Sequence, residues 1–340
     1  MPGMPLSGMP LWKRINMLKD SFGRTIDYMR VSVTDRCNLR CRYCMPDGIE
    51  RIPMGEILTY EEIAFVCAQA AALGIGRFRI TGGEPLARKN CAALIAMLKK
   101  TPGVSRVAMT TNGVLLADHL DELLDAGLDA VNISLDTLDR KQYQAITGAD
   151  GLDRVLDSVR RAAGRLPVKI NVVIQAGVND GAPAELAALG RELPVDVRFI
   201  ELMPIGAARN LKTVPNTKVL AVIEEKYGKT REEPEMRGNG PAVYRRPEGF
   251  IGRIGFISAM NEKFCGSCNR LRLTSVGELK PCLCYGDVIP LKGILRDGLP
   301  DREERIRDKI REAVRIKPAA HCFERGEGIT ERRGMDRIGG

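Results

Sequence analysis

A chain of 340 residues, 44% hydrophobic and 28% charged, is long enough to bury one large core, or a large core and a small one. It has no apolar run near the roughly 18 residues that a membrane-spanning helix needs. Its net charge of +9 suits an anionic partner, but aromatics are only 5% of residues and the charges are interleaved. That pattern argues against the broad basic stripe of a nucleic-acid groove and favours a small phosphorylated ligand held by a few convergent Arg and Lys.

In chain order, residues 1–21 are Pro-, Gly- and Met-rich without the apolar core of a signal peptide, so a loose arm and a cytoplasmic location are expected. Strands are predicted at 28–34, 77–81, 106–111, 130–135, 168–174 and 196–202, with helical patterns between them. Thr59 and Glu62 form a capping box ahead of one helix, and Gly74, Gly127 and Gly164 stand where helix C-caps belong. Repeated βα units of this kind predict a parallel sheet with right-handed crossovers.

The strands of a doubly wound sheet would be apolar on both faces, but these alternate. Asn132, Ser134 and Asp136 oppose Val131, Ile133 and Leu135, and Lys169 and Asn171 oppose Val168, Ile170 and Val172. Arg77 and Arg79 oppose Phe78 and Ile80, and Arg198 lies between Val197 and Phe199. A closed eight-stranded barrel fills its lumen with apolar side chains. Six strands with a polar inner face therefore predict an α/β fold built on an incomplete (βα)6 TIM-like barrel, laterally open. It is expected to span residues 22–249, with a smaller C-terminal α+β region, 250–340, closing the opening. After about residue 205 the pattern changes, with hairpin-like sequence near 243–257 and 270–283, then a charged helix and an Arg/Gly-rich tail.

The unusual peptides all follow strand ends, where βα folds place their active sites: TDRCNLRC, TGGEP, TTNG, SLDTL and ELMP. Ten cysteines in an intracellular chain favour metal ligation over disulfides. Cys37, Cys41 and Cys44, spaced C-x3-C-x2-C, supply three thiolates from one loop. A [4Fe–4S] cube held by three cysteines keeps one iron open, whereas structural zinc takes four ligands. No histidine lies near this loop, since the chain has only His119 and His321. Cys265, Cys268 and Cys282 repeat the three-ligand arithmetic; Cys284 shares a strand face with Cys282 and could be a fourth ligand. Cys67 and Cys91 fall within helices and Cys322 in the tail, which suits buried or incidental thiols.

With the cysteine loop, TGGEP, TTNG, NISLDTL, RFIELMP, CNRLRLT and a terminal Gly339–Gly340, the chain closely resembles the GTP 3′,8-cyclase family of radical S-adenosylmethionine (SAM) enzymes, from about residue 22 to the end. That family begins molybdenum-cofactor biosynthesis. The resemblance implies two [4Fe–4S] clusters and SAM as cofactors, with Cys37, Cys41 and Cys44 on the first cluster and Cys265, Cys268 and Cys282 on the second. It implies GTP as substrate, with a deoxyadenosyl radical taking the ribose 3′ hydrogen before C3′ adds to guanine C8. Tyr43, Gly83, Ser134 and Met203 match SAM-contacting positions. Arg30, Arg79, Thr110, Lys169 and the segment Arg270, Leu271 and Arg272 match GTP-contacting ones, and Arg77 and Arg198 are further triphosphate candidates. Arg270, Arg272, Gly339 and Gly340 are the expected catalytic set, the tail reaching into the site.

An external reductant and product transfer to a downstream cyclic pyranopterin monophosphate synthase are also implied, and a homodimer is compatible. Neither nucleic acid nor a membrane is an expected partner. Buried unpaired charge is costly, so Arg79, Lys169 and Arg198 need either an anionic ligand or carboxylates such as Glu84, Asp136 or Glu201. A peptide-modifying radical SAM maturase would share the first loop, but usually has more C-terminal cysteines and a peptide-recognition domain. A zinc-stabilised nucleic-acid binder using Cys265, Cys268, Cys282 and Cys284 would leave TGGEP unexplained.

Overall fold

The alternating strands pair in sequence order. The computed structural model describes residues 18–48, 52–234, 238–324 and 328–339. Strands β1 (Tyr28–Ser32), β2 (Arg77–Thr81), β3 (Arg106–Thr111), β4 (Ala130–Ser134), β5 (Val168–Ile174) and β6 (Val195–Glu201) are consecutive neighbours, all parallel. The sheet does not close on itself, as in an incomplete TIM barrel. Its apolar face packs beneath helices α1 (Tyr60–Ala72), α2 (Cys91–Lys100), α3 (Leu116–Asp125), α4 (Arg140–Thr147), α5 (Leu152–Ala162), α6 (Pro183–Glu192) and α7 (Asn216–Tyr227). Phe78, Ile80, Val131, Ile133, Ile170 and Phe199 form the buried centre of that layer. The Thr59–Glu62 capping box is present, and Gly74, Gly127 and Gly164 take positive φ as the C-cap signals require. Helix α4 was not predicted. Its sequence, RKQYQAIT, is short and mostly polar, burying only Tyr143, Ile146 and Thr147, with Asp139 at its N-cap and Gly148 after its end.

An open barrel leaves two sheet edges with unpaired backbone groups. The C-terminal strands take both. At one edge β9 (Ile254–Ile257) runs parallel to β6, followed outward by β8 (Val243–Arg246) and β7 (Arg231–Glu233). At the other, β10 (Arg270–Leu273) runs parallel to β1, followed by β11 (Glu278–Lys280) and β12 (Ile289–Pro290). Strands from 231 onward therefore extend the barrel wall at both edges, β7 and β8 preceding residue 250 and β9 to β12 following it. Helix α9 (Arg302–Arg315) packs against α1 and β11, and the short helix α8 (Lys292–Arg296) packs against α9. Residues 1–17 of the expected arm lie outside the described residues. Residues 18–21 belong to the fold: Lys19 bridges Thr25, and buried Asp20 pairs with Arg24 at 2.6 Å.

The chain ends by returning to the barrel. Buried Glu331 pairs with the fully buried Lys280 of β11 and with Arg333, and Arg333 pairs with Glu278. Helix α10 (Met335–Ile338) follows, and the Gly339 carbonyl accepts from Arg272. Gly340 lies outside the described residues. Removing one partner of a buried ion pair strands the other charge, at a cost of about 3–5 kcal/mol. Glu331→Gln is therefore expected to lower the melting temperature and release the tail; thermal unfolding together with proteolysis of the C-terminus checks this.

Candidate active site

The first cysteine loop follows β1 and is held from two sides. On one side Gly83 N–H donates to the Thr34 carbonyl (2.8 Å) and Glu84 N–H to the Arg36 carbonyl (2.8 Å). A Cβ on Gly83 would lie 2.4 Å from the Arg36 carbonyl oxygen, so the paired glycines of TGGEP let two backbones meet. On the other side Arg40 and Arg42 donate backbone N–H groups to the Thr147 and Ile146 carbonyls at the end of α4. Glu84 turns back into the fold, accepting from Thr111 Oγ1 (2.7 Å), Asn112 N–H (2.6 Å) and Leu86 N–H (3.0 Å).

Cys37, Cys41 and Cys44 line a cavity of about 240 Å³ at the strand C-terminal ends. Tyr43, Gly83, Thr110, Ser134, Met203 and Arg30 line it too, so all the sequence-derived SAM candidates converge here, with Arg30 and Thr110 from the substrate set. The Tyr43 hydroxyl donates to Asp136 (2.8 Å), which also accepts from Val173 N–H (2.8 Å). Burial raises the Asp136 carboxyl to about 6. Burial likewise pushes up the Cys41 and Cys44 thiols, Cys44 to about 12, and the negative charges of Asp136 and Asp336 add to this. A cationic iron cluster would offset that penalty. The Leu39 N–H (3.4 Å) and the Asn112 amide (3.8 Å) point at the Cys37 sulfur, the kind of contact that tunes ligand sulfurs. Among the described residues no three His, Cys, Asp or Glu side chains converge on a single-ion site. Three thiols of one loop lining one cavity are the donor set that a [4Fe–4S] cube with one open iron takes.

A second cavity, about 140 Å³, is lined by Cys265, Cys268, Cys282, Arg270, Arg272 and Lys317. Arg30, Ile200, Met203 and Met335 line both cavities and form their common wall. Cys284 is not at this cavity: it is fully buried in a small separate core with Ile205, Phe323, Ile329 and Ile338. Cys282 lines the cavity and also borders that small core, whereas Cys284, two residues on, lies within the core. Burial raises Cys268, but Arg270 and Lys317 outweigh it and its thiol ends below the ordinary value. Two residues that no motif flagged organise this site. Arg24 donates to the Cys265 (2.7 Å), Ala319 (2.8 Å) and Pro318 (2.7 Å) carbonyls, and Lys317 donates to those of Pro281 (2.7 Å) and Arg270 (3.0 Å). Neither lies in a recognisable peptide; their role exists only after folding.

Between and below the cavities the lumen is cationic. Register puts Arg272, Arg30 and Arg79 side by side on β10, β1 and β2. Arg79 donates to Tyr28 Oη (2.7 Å) and the Met109 carbonyl (3.3 Å), and Arg198 Nε to the Asn171 side-chain carbonyl (3.0 Å). These acceptors are neutral. The carboxylates proposed as alternative partners are engaged elsewhere: Glu84 and Asp136 as above, and Glu201 with the N–H groups of Asn216, Met260 and Asn261. Burial, reinforced by Arg272, holds Arg30 well below the ordinary arginine value. Burial and Arg270 lower Arg272 to about 10, and burial and Arg198 lower Lys169 to about 7. Burial pushes the Tyr28 phenol up, but Arg79, Arg30 and Arg270 together leave it lowered.

Two candidates lie differently. Arg77 is paired with Asp27 at 3.0 Å at the strand N-terminal end, although it also lines a small lumen cavity with Arg79 and Lys169. Leu271 is turned by strand alternation into the main core, away from both cavities. Gly339, at φ +78°, packs against Ser32 and Thr81 beside the first cavity.

Comparison with known proteins agrees with this geometry. Residues 31–190 match the radical SAM superfamily and residues 195–323 the Molybdenum Cofactor Synthesis C family. A GTP 3′,8-cyclase of Clostridium perfringens is 42% identical over 325 residues, covering 95% of this chain and 100% of the relative. One from Moorella thermoacetica is 45% identical over 328 residues, with the same coverage. Among solved structures, Streptococcus suis SuiB bound to S-adenosylmethionine superposes with a TM-score of 0.63 at 14% identity, over 90% of this chain and 76% of that one, a likeness of fold alone. No helix among the described residues is long and apolar enough to cross a membrane. The two family matches, the two thiol triads and the close relatives agree, and the chain belongs to the GTP 3′,8-cyclase family of the radical SAM superfamily.

Proposed function

We propose that this chain carries out the reaction its relatives are named for, joining C3′ of the GTP ribose to C8 of its guanine. The product would be (8S)-3′,8-cyclo-7,8-dihydroguanosine 5′-triphosphate, bound for molybdenum-cofactor synthesis. The observation that carries this reading is the pair of three-thiol cavities sharing one wall, with a cationic lumen beneath. When bound, SAM and the clusters supply the one-electron chemistry that removes the ribose 3′ hydrogen.

The chain's own residues do the rest. Cys37, Cys41 and Cys44 hold the first cluster, and Tyr43, Gly83, Ser134 and Met203 seat SAM beside it. Arg79, Lys169 and Arg198 take the triphosphate, where Arg forks suit phosphate oxygens. Arg30 and Thr110 bridge toward the ribose. Cys265, Cys268 and Cys282 hold the second cluster, and Arg270 and Arg272 orient the guanine near it. The Gly339 carbonyl, anchored by Arg272, keeps the tail at the reacting end and helps exclude water. An external reductant is required, and the product passes to the enzyme that rearranges it. The peptide-maturase reading shares the fold, but a peptide gives no reason for a row of arginines in register across three strands.

Anaerobically reconstituted protein is expected to bind about eight irons per chain, as two cubes. Cys282→Ala should lower this to about four while Cys284→Ala leaves it near eight; iron analysis distinguishes them. Given reductant, SAM and GTP, 5′-deoxyadenosine should form only as GTP is consumed, read by mass spectrometry of the mixture; formation indifferent to GTP would defeat the cyclase reading.

Lys169 yields a pH prediction. It faces Arg79, Arg106 and Arg198, with Asp196 and the Tyr244 ring also against it. Its value of about 7 means it is charged below pH 7 and must take up a proton to meet a triphosphate above it. GTP affinity should thus be highest below pH 7 and fall by up to about tenfold per unit above it. Calorimetric titration should show that slope, together with proton uptake, and Lys169→Met should flatten it.

A further inference from the structure

Six of the ten cysteines line the two cavities, and Cys67 and Cys91 are buried in α1 and α2. The remaining two, Cys284 and Cys322, are 38 residues apart in sequence, yet their sulfurs stand 3.3 Å from each other. The Cys322 N–H also donates to the Cys284 sulfur (3.4 Å). We propose that Cys284 and Cys322 are a reversible dithiol–disulfide pair, a redox modification site separate from the thiols that line the second cavity.

The geometry favours this over two incidental thiols. A disulfide needs a sulfur separation of about 2.05 Å, so an approach of about 1.3 Å closes the gap. Cys284 is fully buried while Cys322 is partly exposed, so the pair combines a reachable attacking sulfur with a sheltered resolving one. The backbone at Gly328 closes over Cys322, where an added Cβ would lie 2.8 Å from its sulfur. The sulfur therefore has little room to swing away on that side.

The chemistry is exchange with a low-molecular-weight disulfide. The Cys322 thiolate attacks one sulfur of RSSR, forming a mixed disulfide and releasing RS⁻. The Cys284 thiol, giving up its proton, then attacks the Cys322 sulfur and expels the second RS⁻. Two protein thiols are oxidised, one small disulfide is reduced to two thiols, and both electrons are accounted for.

The bond would act on the second cavity. Cys284 lies two residues after Cys282, and Cys322 follows His321, whose backbone N–H donates to the Cys265 sulfur (3.4 Å). Oxidation therefore ties together two walls of that cavity, through the small core that also seats Ile338 of the tail.

The test treats anaerobically reconstituted holoenzyme with oxidised glutathione, then maps peptides without reduction. The expected result is a Cys284–Cys322 cross-linked peptide, two fewer alkylatable thiols, a higher melting temperature and unchanged iron, all reversed by dithiothreitol. Cys322→Ser, at the partly exposed position, should abolish the cross-link and the melting shift while keeping basal turnover and iron. Cross-links confined to Cys265, Cys268 and Cys282 would overturn the proposal, as would no cross-link at all with iron retained. Loss of iron in Cys284→Ser would also overturn it, by making Cys284 a ligand. The peptide map and the melting shift do not depend on the cyclase reading, so the two can fail separately.

Discussion

The structure is organised around a row of like charges. Arg272, Arg30 and Arg79 occupy matching positions on three adjacent parallel strands, where neighbouring strands lie about 4.8 Å apart. Like charges directly opposite one another destabilise a sheet, and burial makes the conflict worse. Burial first, and then the neighbouring arginines, hold Arg30 and Arg272 below the ordinary arginine value. A fold that minimised its own energy would not keep such a row. Under the proposed function the same charges become convergent donors to the triphosphate.

The open barrel follows from the same constraint. A closed eight-stranded barrel would fill its centre with side chains. Here six strands carry apolar residues outward to the helices and polar ones inward, and the C-terminal strands extend both edges instead of sealing the lumen. That edge pairing is also what brings the second thiol triad to the first. Strand β10 delivers Arg270 and Arg272 alongside β1, and the chain leading into and out of it carries Cys265, Cys268 and Cys282. The two cavities then share Arg30, Ile200, Met203 and Met335, so a ligand can touch both. The tail closes this arrangement through two buried contacts, Lys280 with Glu331 and Arg272 with the Gly339 carbonyl.

Local signals predicted local features well. The capping box, the C-cap glycines and the period-two strands report hydrogen-bonding and burial preferences that act within a few residues, and each appears as read. Helix α4 escaped because it is only two turns long and mostly polar, yet its C-terminal carbonyls hold the backbone of the first cysteine loop. Arg24 and Lys317 escaped for a related reason. A side chain that braces distant carbonyls carries no spacing rule, and its function arises only when 318–319 and Cys265 meet it.

The sequence by itself determined the three-thiol loop, its place after the first strand, the polar inner face of the sheet and the family these imply. Those features depend on spacing and strand period, which survive without a fold. Tertiary structure alone decided that Cys282 meets the second cavity while Cys284 turns away to Cys322, that Leu271 is core, and that three arginines stand in register. These depend on which way a chain turns and which strands become neighbours, and no local pattern encodes either.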